Sequence, residues 1–288
     1  MPARRPTVRS TAVAAVAVLL ALTGCTSSSD SAGPAASSGS PGSSGSGGRS
    51  RVTLPPVHAG FDYQLGGAYT PPKGVRIISR DRTSAPADGL YNICYVNAFQ
   101  AQPEERKQWP ADLLLRDADG DVVLDKDWNE PLLDIGTPAR RERVAARVNR
   151  WIDGCADKGY DAVEPDNYDS YTRSGGRLSA ADAKAFITLL SAHAHSRGLA
   201  IGQKNTVELA DSRRKTGLDF AVVEECGAYE ECDGYVDAFG RQVVVIEYTA
   251  KGLAKGCAEW GDRLSIVRRD VDVTPRGDDG YVRGTCRG

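Results

Sequence analysis

From residue 130 onward, short apolar runs alternate regularly with segments of helical spacing. The runs "FAVV" and "VVVI" contain no polar residue, which predicts strands that are buried on both faces, as in parallel sheets. The intervening segment 137–159 has helix signals at both ends, because Thr137 precedes Pro138 and Gly159 suits the C-terminal turn. This alternation favours parallel strands that are joined by right-handed crossovers.

The pattern predicts an α/β fold, a single (β/α)8 TIM barrel with reduced helices in its N-terminal part. Nine candidate strands occur, and we expect one of them to lie outside the main sheet. The first three, "FDYQL", "VRIIS" and "YNICYVNAF", are joined by connections that are too short for full crossover helices. A doubly wound sheet fits less well, because no GxGxxG follows the first strand and no GxxxxGK[ST] occurs.

The N-terminal part has the features of an export signal followed by a linker. Residues 1–25 contain three arginines, then the apolar run "TAVAAVAVLLAL", and end in "LTGC", which resembles the lipobox of bacterial lipoproteins. We therefore predict lipidation of Cys25, with plain secretion as the alternative. Residues 26–53 are rich in Ser and Gly and are expected to form a disordered tether. The folded domain is predicted over residues 54–288, exported and either lipid-anchored to the outer face of the cell membrane or secreted.

Charge and cysteine content exclude several classes of partner. The chain has 36 Lys and Arg against 38 Asp and Glu, without a basic patch and interleaved aromatics, so nucleic acid is not an expected partner. Six cysteines follow Cys25, and an even number in an exported protein suggests disulfides rather than a metal site, since no CxxC spacing occurs. No metal or other cofactor is predicted. Six cysteines allow 15 pairings. Cys226 and Cys232 are close in sequence and are predicted to close a small loop, and of the three ways to pair the other four we choose Cys94–Cys155 with Cys257–Cys286 as a guess.

Charged or amide side chains follow nearly every candidate strand. In a (β/α)8 barrel the C-terminal ends of the strands form one rim, and the active sites of such enzymes lie there. A single acid after a strand is more often a helix cap or a solvated side chain, but their recurrence at successive strands predicts a polar rim. The candidates are Arg80, Asp81, Asp134, Glu164, Asp166, Asn167, Lys204, Asn205, Glu224, Glu225, Glu247, Tyr248 and Asp270.

Crowded carboxylates are the groups that glycoside hydrolysis requires. One carboxyl is protonated and donates to the leaving oxygen, while the other is ionised and acts as a nucleophile or as the base for water. Other catalytic classes fit less well. No GxSxG elbow of a serine hydrolase occurs, and His193 and His195 are two residues apart in a predicted helix, so they point in different directions.

Six segments between residues 61 and 270 resemble the motifs of glycoside hydrolase family 114. In chain order they are "YNICYVNAFQAQPEER", "WNEPLLDI", "DAVEPDNYDSY", "IGQKN", "VVEECGAYEEC" and "VVVIEY". The family contains endo-α-1,4-polygalactosaminidases. The resemblance therefore implies a hydrolase whose substrate is a polysaccharide of amino sugars, with cationic free amines.

The same resemblance implies that Asp166 and Glu224 are the catalytic acids. Asp166 as nucleophile or base and Glu224 as proton donor is the preferred assignment, and the reverse order stays open. The sequence departs from the family at Glu164, where Asp is usual, and at Glu225, where Gln is usual. The extra carboxylate of Glu225 is either a structural variation or a like charge that raises the pKa of Glu224.

Further residues near these motifs are predicted to bind substrate. Acidic side chains can hold ammonium groups, and flat aromatic rings match the apolar faces of sugars, although core packing is an equal alternative for Tyr95 and Tyr248. Lys204 and Asn205 are expected to steady the carboxylates or to bind sugar hydroxyls. The acidic candidates are Asp81, Glu164, Asp169 and Glu247, the aromatic ones are Tyr63, Tyr95, Trp128 and Tyr248, and Asn167 and Glu225 complete the set.

Two alternative functions remain open at this point. One is a non-catalytic carbohydrate-binding lipoprotein on the same barrel. The other is a glycosidase for a different α-linked sugar. The distance between Asp166 and Glu224 discriminates the first alternative, because two-carboxylate hydrolysis requires carboxyl groups no more than about 9.5 Å apart. The protein is expected to be a monomer.

Overall fold

The computed structural model describes residues 52–286. The predicted signal peptide, the predicted lipidation site Cys25 and residues 26–51 of the predicted tether therefore lie outside the described residues. No helix within residues 52–286 combines the length and the apolar character that crossing a membrane would require.

Eight parallel strands form the main sheet in the order β1-β2-β3-β6-β7-β8-β9-β10, and a short ninth strand, β11, pairs antiparallel with β10. The sheet curls into a (β/α)8 barrel, which confirms the predicted fold class. The strands are β1 (Gly60–Gln64), β2 (Val75–Asp81), β3 (Tyr91–Asn97), β4 (Leu124–Asp125), β5 (Glu130–Pro131), β6 (Ala162–Asp166), β7 (Ala200–Lys204), β8 (Phe220–Glu224), β9 (Val243–Glu247), β10 (Ser265–Arg269) and β11 (Arg283–Thr285).

Helices cover the sheet from β3 onward. The connections β1–β2 and β2–β3 contain no helix. This agrees with the prediction that the helices are reduced in the N-terminal part of the barrel. The α-helices are α1 (Pro138–Lys158), α2 (Ala180–Ser196), α3 (Arg213–Thr216), α4 (Cys226–Tyr229), α5 (Cys232–Phe239) and α6 (Ala250–Trp260). Short 3₁₀ helices lie at Arg106–Gln108, Ala111–Leu113, Ser170–Arg173 and Val207–Ser212.

Successive side chains of each strand point alternately into the barrel and toward the helices. On β9, Val244 and Ile246 pack in the barrel interior, whereas Val243 and Val245 pack in the outer layer with the helices. Both faces are therefore apolar, which explains why the run "VVVI" shows no alternation. The side of the sheet on which a residue lies decides whether its side chain can reach the rim of the barrel.

Side chains and β11 close the barrel between β1 and β10. The backbone N–H of Ala59 donates to Ser265 Oγ at 2.9 Å, and Arg283 Nε of β11 donates to Asp62 Oδ1 at 3.2 Å. Asp62 is fully buried and also faces the buried Arg269 guanidinium, with Nη1 and Oδ1 3.8 Å apart. The strand β11 was not predicted, because three residues around a glycine carry no strand pattern.

The candidate strand "PLLDI" lies outside the barrel. Leu132 and Leu133 pair in isolated antiparallel bridges with Gln100 and Leu114 instead of extending the main sheet. Asp134 therefore does not belong to the rim of acids, and its predicted place there is wrong. Its carboxylate accepts hydrogen bonds from the Gly136 N–H and the Arg140 guanidinium instead.

All three predicted disulfides are present. Cys94–Cys155 joins β3 to α1 across 61 residues of sequence, and Cys257–Cys286 joins α6 to the segment that follows β11 across 29 residues. Cys226–Cys232 closes a loop of six residues between the start of α4 and the start of α5.

Replacing both cysteines of the 61-residue pair, Cys94 and Cys155, by alanine is expected to destabilise the fold more than the same change at Cys226 and Cys232. Loop-closure entropy predicts losses of about 4 and about 2 kcal/mol in the free energy of unfolding. All four side chains are buried, so the cost of lost packing is similar in the two variants. Urea unfolding measures both, and equal losses would contradict the prediction.

Candidate active site

The side chain of Lys204 lies at the centre of the site. Lys204 is the last residue of β7, and its side chain is only 3% exposed. It lies on the same face of the strand as Ala200, which points into the barrel. Its Nζ lies 3.1 Å from Asp166 Oδ1, 3.2 Å from Glu164 Oε1 and 3.5 Å from Glu224 Oε2. Three carboxylates from β6 and β8, the two neighbours of β7, therefore converge on one ammonium group.

Glu164 is the innermost of these carboxylates. Its side chain is fully buried, and it accepts hydrogen bonds from Tyr63 Oη and Ser79 Oγ, both at 2.7 Å. Burial raises the pKa of Glu164 although the nearby Lys204 opposes that shift. A direct contact between Glu164 and a substrate ammonium group, as predicted, is wrong for this position. The stacking role of Tyr63 is wrong for the same reason, since its ring is buried inside the barrel.

Asp166 lies one step nearer to the rim on the same face of β6. Tyr95 Oη donates to its Oδ2 at 2.6 Å, and the Lys204 ammonium contacts its Oδ1. Burial alone would raise the pKa of Asp166, but the charge of Lys204 and the hydrogen bonds from Tyr95 and the Asn167 backbone outweigh it and hold the pKa below its usual range. Asp166 is therefore an ionised carboxylate at neutral pH.

Two residues fix the carboxylate of Glu224. Asn205 Nδ2 donates to Glu224 Oε2 at 2.9 Å, while Asn205 Oδ1 accepts the Glu224 backbone N–H at 2.8 Å. The hydroxyl of Tyr248 donates to Glu224 Oε1. Asn205 and Tyr248 were both predicted as site residues, and both lie beside Glu224 in the structure.

The contacts with Lys204 limit the separation of the two candidate catalytic acids. Asp166 Oδ1 and Glu224 Oε2 lie 3.1 and 3.5 Å from the same nitrogen, so they are at most 6.6 Å apart. Two-carboxylate hydrolysis uses separations of about 5 to 9.5 Å. The pair is therefore close enough for direct chemistry, which a purely carbohydrate-binding protein would not require.

The three turns after β6, β7 and β8 begin with residues in the left-handed region. Asn167, Asn205 and Glu225 have φ angles of 66°, 46° and 59°. Asparagine tolerates this conformation, but it is unfavourable for glutamate. Such strain persists only where surrounding contacts hold it, and it concentrates at functional sites. For Asn167 these contacts use its side-chain amide, which bonds to Asn97 at 3.0 Å and to Arg173 at 3.2 Å.

A cavity of about 340 Å³ opens beside Glu224. Among the residues that the structure describes, its lining contains five acidic residues and no Lys or Arg. Burial is the main cause that raises the pKa of Glu225, and the nearby Glu224 adds to it. Burial also raises the pKa of Glu231, with a smaller contribution from Glu208. The lining residues are Asp169, Thr172, Asn205, Thr206, Val207, Glu208, Glu224, Glu225, Tyr229, Glu231, Tyr235 and Tyr248. This crowding of negative charge suits a cationic ligand.

Glu208, Glu231 and Tyr229 line this cavity, but the sequence analysis did not single them out. Glu208 lies in the 3₁₀ helix after β7, and Glu231 precedes α5, so neither directly follows a strand. Attention to acids within the connections, as well as to those at the strand ends, would have found them. Tyr229 belongs to α4 inside the small disulfide loop and is 69% exposed.

The remaining predicted residues lie at or beyond the margin of this cavity. Asp169 lines it, but Arg173 binds its carboxylate at 2.6 and 2.9 Å. Asp81 accepts from the Thr83 N–H at 2.8 Å and does not line the cavity. Trp128 is 51% exposed in the turn between β4 and β5, also outside the lining.

Glu247 lies on the opposite face of β9. Its neighbour Ile246 packs inside the barrel, so Glu247 points outward beneath α4 and α6 and is fully buried. Its predicted place at the rim is therefore wrong, because adjacent residues of a strand point to opposite faces.

A larger cavity, of about 690 Å³, lies beside the connections β1–β2 and β2–β3. Of the described carboxylates, Asp88 alone lines it, and the Arg80 guanidinium in its wall is already bonded to Gln64, Ala85 and Tyr69. Size alone does not identify the site. The smaller cavity is lined by Glu224, which shares the Lys204 ammonium group with Asp166, and it is the candidate active site.

Comparisons with known proteins agree with this architecture. The structure of Ega3 from Aspergillus fumigatus in complex with galactosamine matches with a TM-score of 0.65 and 24% identity, covering 79% of this chain and 98% of that chain. The glycoside hydrolase domain of PelA from Pseudomonas aeruginosa matches with a TM-score of 0.54 and 14% identity, covering 76% of this chain and 97% of that one. Identities this low show a shared fold. A search of curated proteins gave no match.

A protein-family model matches the whole of the part that the structure describes. The family model Glyco_hydro_114, glycoside-hydrolase family GH114, matches residues 43–288. This range includes both candidate catalytic acids and every residue that lines the cavity beside them. The chain therefore belongs to glycoside-hydrolase family GH114 and is a glycoside hydrolase.

Proposed function

We propose that the protein hydrolyses α-1,4-linked, galactosamine-rich polysaccharide, with Asp166 and Glu224 as its two catalytic carboxylates. The observation that carries the proposal is the placement of both acids on the buried ammonium group of Lys204, beside a cavity whose lining, within residues 52–286, has five acidic residues and no Lys or Arg. A polymer of free amino sugars is polycationic, so its charge complements this lining.

Asp166 is assigned as the nucleophile because the charge of Lys204 and the hydrogen bond from Tyr95 hold its pKa below the usual range, so it is ionised at neutral pH. It attacks the anomeric carbon while Glu224 gives its proton to the glycosidic oxygen, and the bond between that carbon and that oxygen breaks. Glu224 then takes a proton from water, whose oxygen attacks the same carbon and releases Asp166. The oxygen separation of at most 6.6 Å falls below nearly all of the range of inverting enzymes, about 6.5 to 9.5 Å, so we expect retention of configuration.

The surroundings of Glu224 suit the role of proton donor. It lies at the edge of the cavity and is more exposed than Asp166, with 24% against 18% of the side chain accessible. Ega3, which shares the fold, was solved in complex with galactosamine, and this supports an amino sugar as the substrate.

Incubation of the purified domain with an α-1,4-linked galactosamine polymer is expected to release oligosaccharides. Asp166→Asn removes the nucleophile and Glu224→Gln removes the transferable proton, so each is expected to lower kcat by about 10²-fold or more. Proton NMR of the first products is expected to show the α anomer. Mass spectrometry of the products measures the cleavage.

Asp237→Asn and Glu259→Gln are matched controls, since both acids are exposed on α5 and α6. They are expected to leave the rate unchanged. Undiminished hydrolysis in both Asp166→Asn and Glu224→Gln would overturn the assignment of the acids. Cleavage of a neutral α-linked polymer in place of the galactosamine polymer would establish the alternative specificity.

Removal of the positive charge of Lys204 is expected to shift the pH dependence of the reaction. Asp166 acts as the ionised form, and Lys204 holds its pKa low, so the acid limb of the kcat/KM profile lies at low pH. In Lys204→Met this pKa rises, and the limb is expected to move to higher pH by about 1–3 units. Lys251→Met changes an exposed lysine of α6 as the control. An unmoved limb in a folded Lys204→Met variant would contradict the prediction.

We also propose that the protein is exported and held at the outer face of the cell membrane by a lipid on Cys25. The support is the sequence "LTGC" at the end of the apolar run and the Ser- and Gly-rich residues that follow it. In the full chain, Cys25→Ala is expected to move the protein from the membrane fraction to the soluble fraction. Wild-type protein found free in the medium would favour plain secretion instead.

A further inference from the structure

Glu247 presents a buried carboxyl group that the proposed mechanism does not use. It ends β9 on the outer face of the sheet and is fully buried. Its Oε1 accepts a hydrogen bond from the Gly227 backbone N–H at 2.7 Å, whereas its Oε2 has no hydrogen-bond partner within the described part of the chain. Burying a carboxyl group with an oxygen that lacks a hydrogen bond costs free energy. We therefore looked for what this group stabilises.

Three consecutive residues at the end of β9 contact the turn that carries Glu224. The Ile246 carbonyl accepts the N–H of Glu225 at 2.7 Å, and the Tyr248 hydroxyl donates to Glu224 Oε1. Between them, Glu247 binds the N–H of Gly227. Residues 246–248 therefore hold the segment 224–227 from both faces of the sheet.

Glycines in α4 and α6 make room for this carboxyl group. A Cβ atom at Gly252 would lie 2.1 Å from Glu247 Oε2, and one at Gly227 would lie 2.9 Å from Oε1. The slot is therefore closed on two sides by backbone that admits no side chain. Gly256, one turn further along α6, has more space, because its Cβ would lie 3.8 Å from Oε1.

We propose that Glu247 is a positioning residue for Glu224, acting through the hydrogen bond to Gly227 that fixes the turn after β8. The turn needs such support, because Glu225 holds a left-handed φ of 59° that is unfavourable for a side chain of its kind. Loss of the contact lets residues 224–227 relax and moves the Glu224 carboxyl relative to Asp166. This inference rests on the proposed role of Glu224 in the reaction.

The first test compares two substitutions at Glu247 in the same domain. Glu247→Gln keeps the acceptor oxygen and the volume, and burial already raises the pKa of Glu247 toward the neutral state that Gln mimics. We expect kcat within about threefold of wild type for this variant. Glu247→Ala leaves the Gly227 N–H unpaired, and we expect kcat to fall by about 10- to 100-fold with KM nearly unchanged.

The second test perturbs the carboxyl group from the neighbouring helix. Gly252→Ala pushes against Glu247 Oε2, whereas Gly256→Ala on the same helix meets its nearest atom, Ile266 Cδ1, at an ordinary 3.7 Å. Only Gly252→Ala is expected to lower kcat. Its effect is expected to shrink when Glu247→Ala is already present, since both changes then act through the same contact.

Circular dichroism and urea unfolding verify that each variant is folded before kcat is compared. A folded Glu247→Ala variant with wild-type kcat would overturn the inference, as would equal losses in Gly252→Ala and Gly256→Ala. If Glu247→Ala does not fold, the glycine pair alone decides. Full activity in Glu224→Gln would instead refute the proposed role of Glu224, and no cleavage of the galactosamine polymer by the wild-type domain would refute the proposed function, so the failures are distinguishable.

Discussion

The buried ammonium group of Lys204 is the interaction on which the arrangement of the site depends. A buried cation is stable only when acidic groups surround it, and the carboxyl groups of Asp166, Glu164 and Glu224 do so from the two neighbouring strands. The same charge keeps Asp166 ionised against the effect of burial. One contact therefore sets the separation of the two proposed catalytic acids and the ionisation state of one of them.

The period of two along each strand allows one strand end to support the site from both faces of the barrel. On β9, Tyr248 contacts Glu224 from the interior, and Glu247 contacts Gly227 from the helical layer. Support of the turn that carries Glu224 is important because catalysis is sensitive to small displacements of a reacting group. The rigid barrel, the small disulfide loop after β8 and the close approach of α4 to α6 all restrict the same turn.

Much of the fold could be predicted because alternating strands and helices admit few topologies. The convergence of Asp166, Lys204 and Glu224 also followed, since the ends of parallel strands meet at one rim. The errors arose at residues whose place depends on which face of a strand they occupy or on which strand pairs with theirs. Glu247 lies on the outer face, Asp134 belongs to a segment that pairs outside the barrel, and Tyr63 is enclosed within it. Glu208 and Glu231 were missed because they lie within the connections.

The sequence by itself determined the class of fold, the family and the acidic residues that a glycosidase requires, because periodicity and motif order are local properties of the chain. It also suggested the three disulfide pairs that the structure contains. Only the tertiary structure decided which acids share an ammonium group and which cavity they face. Those relations depend on the register of neighbouring strands and on the packing of the connections, and residues distant in the sequence fix both.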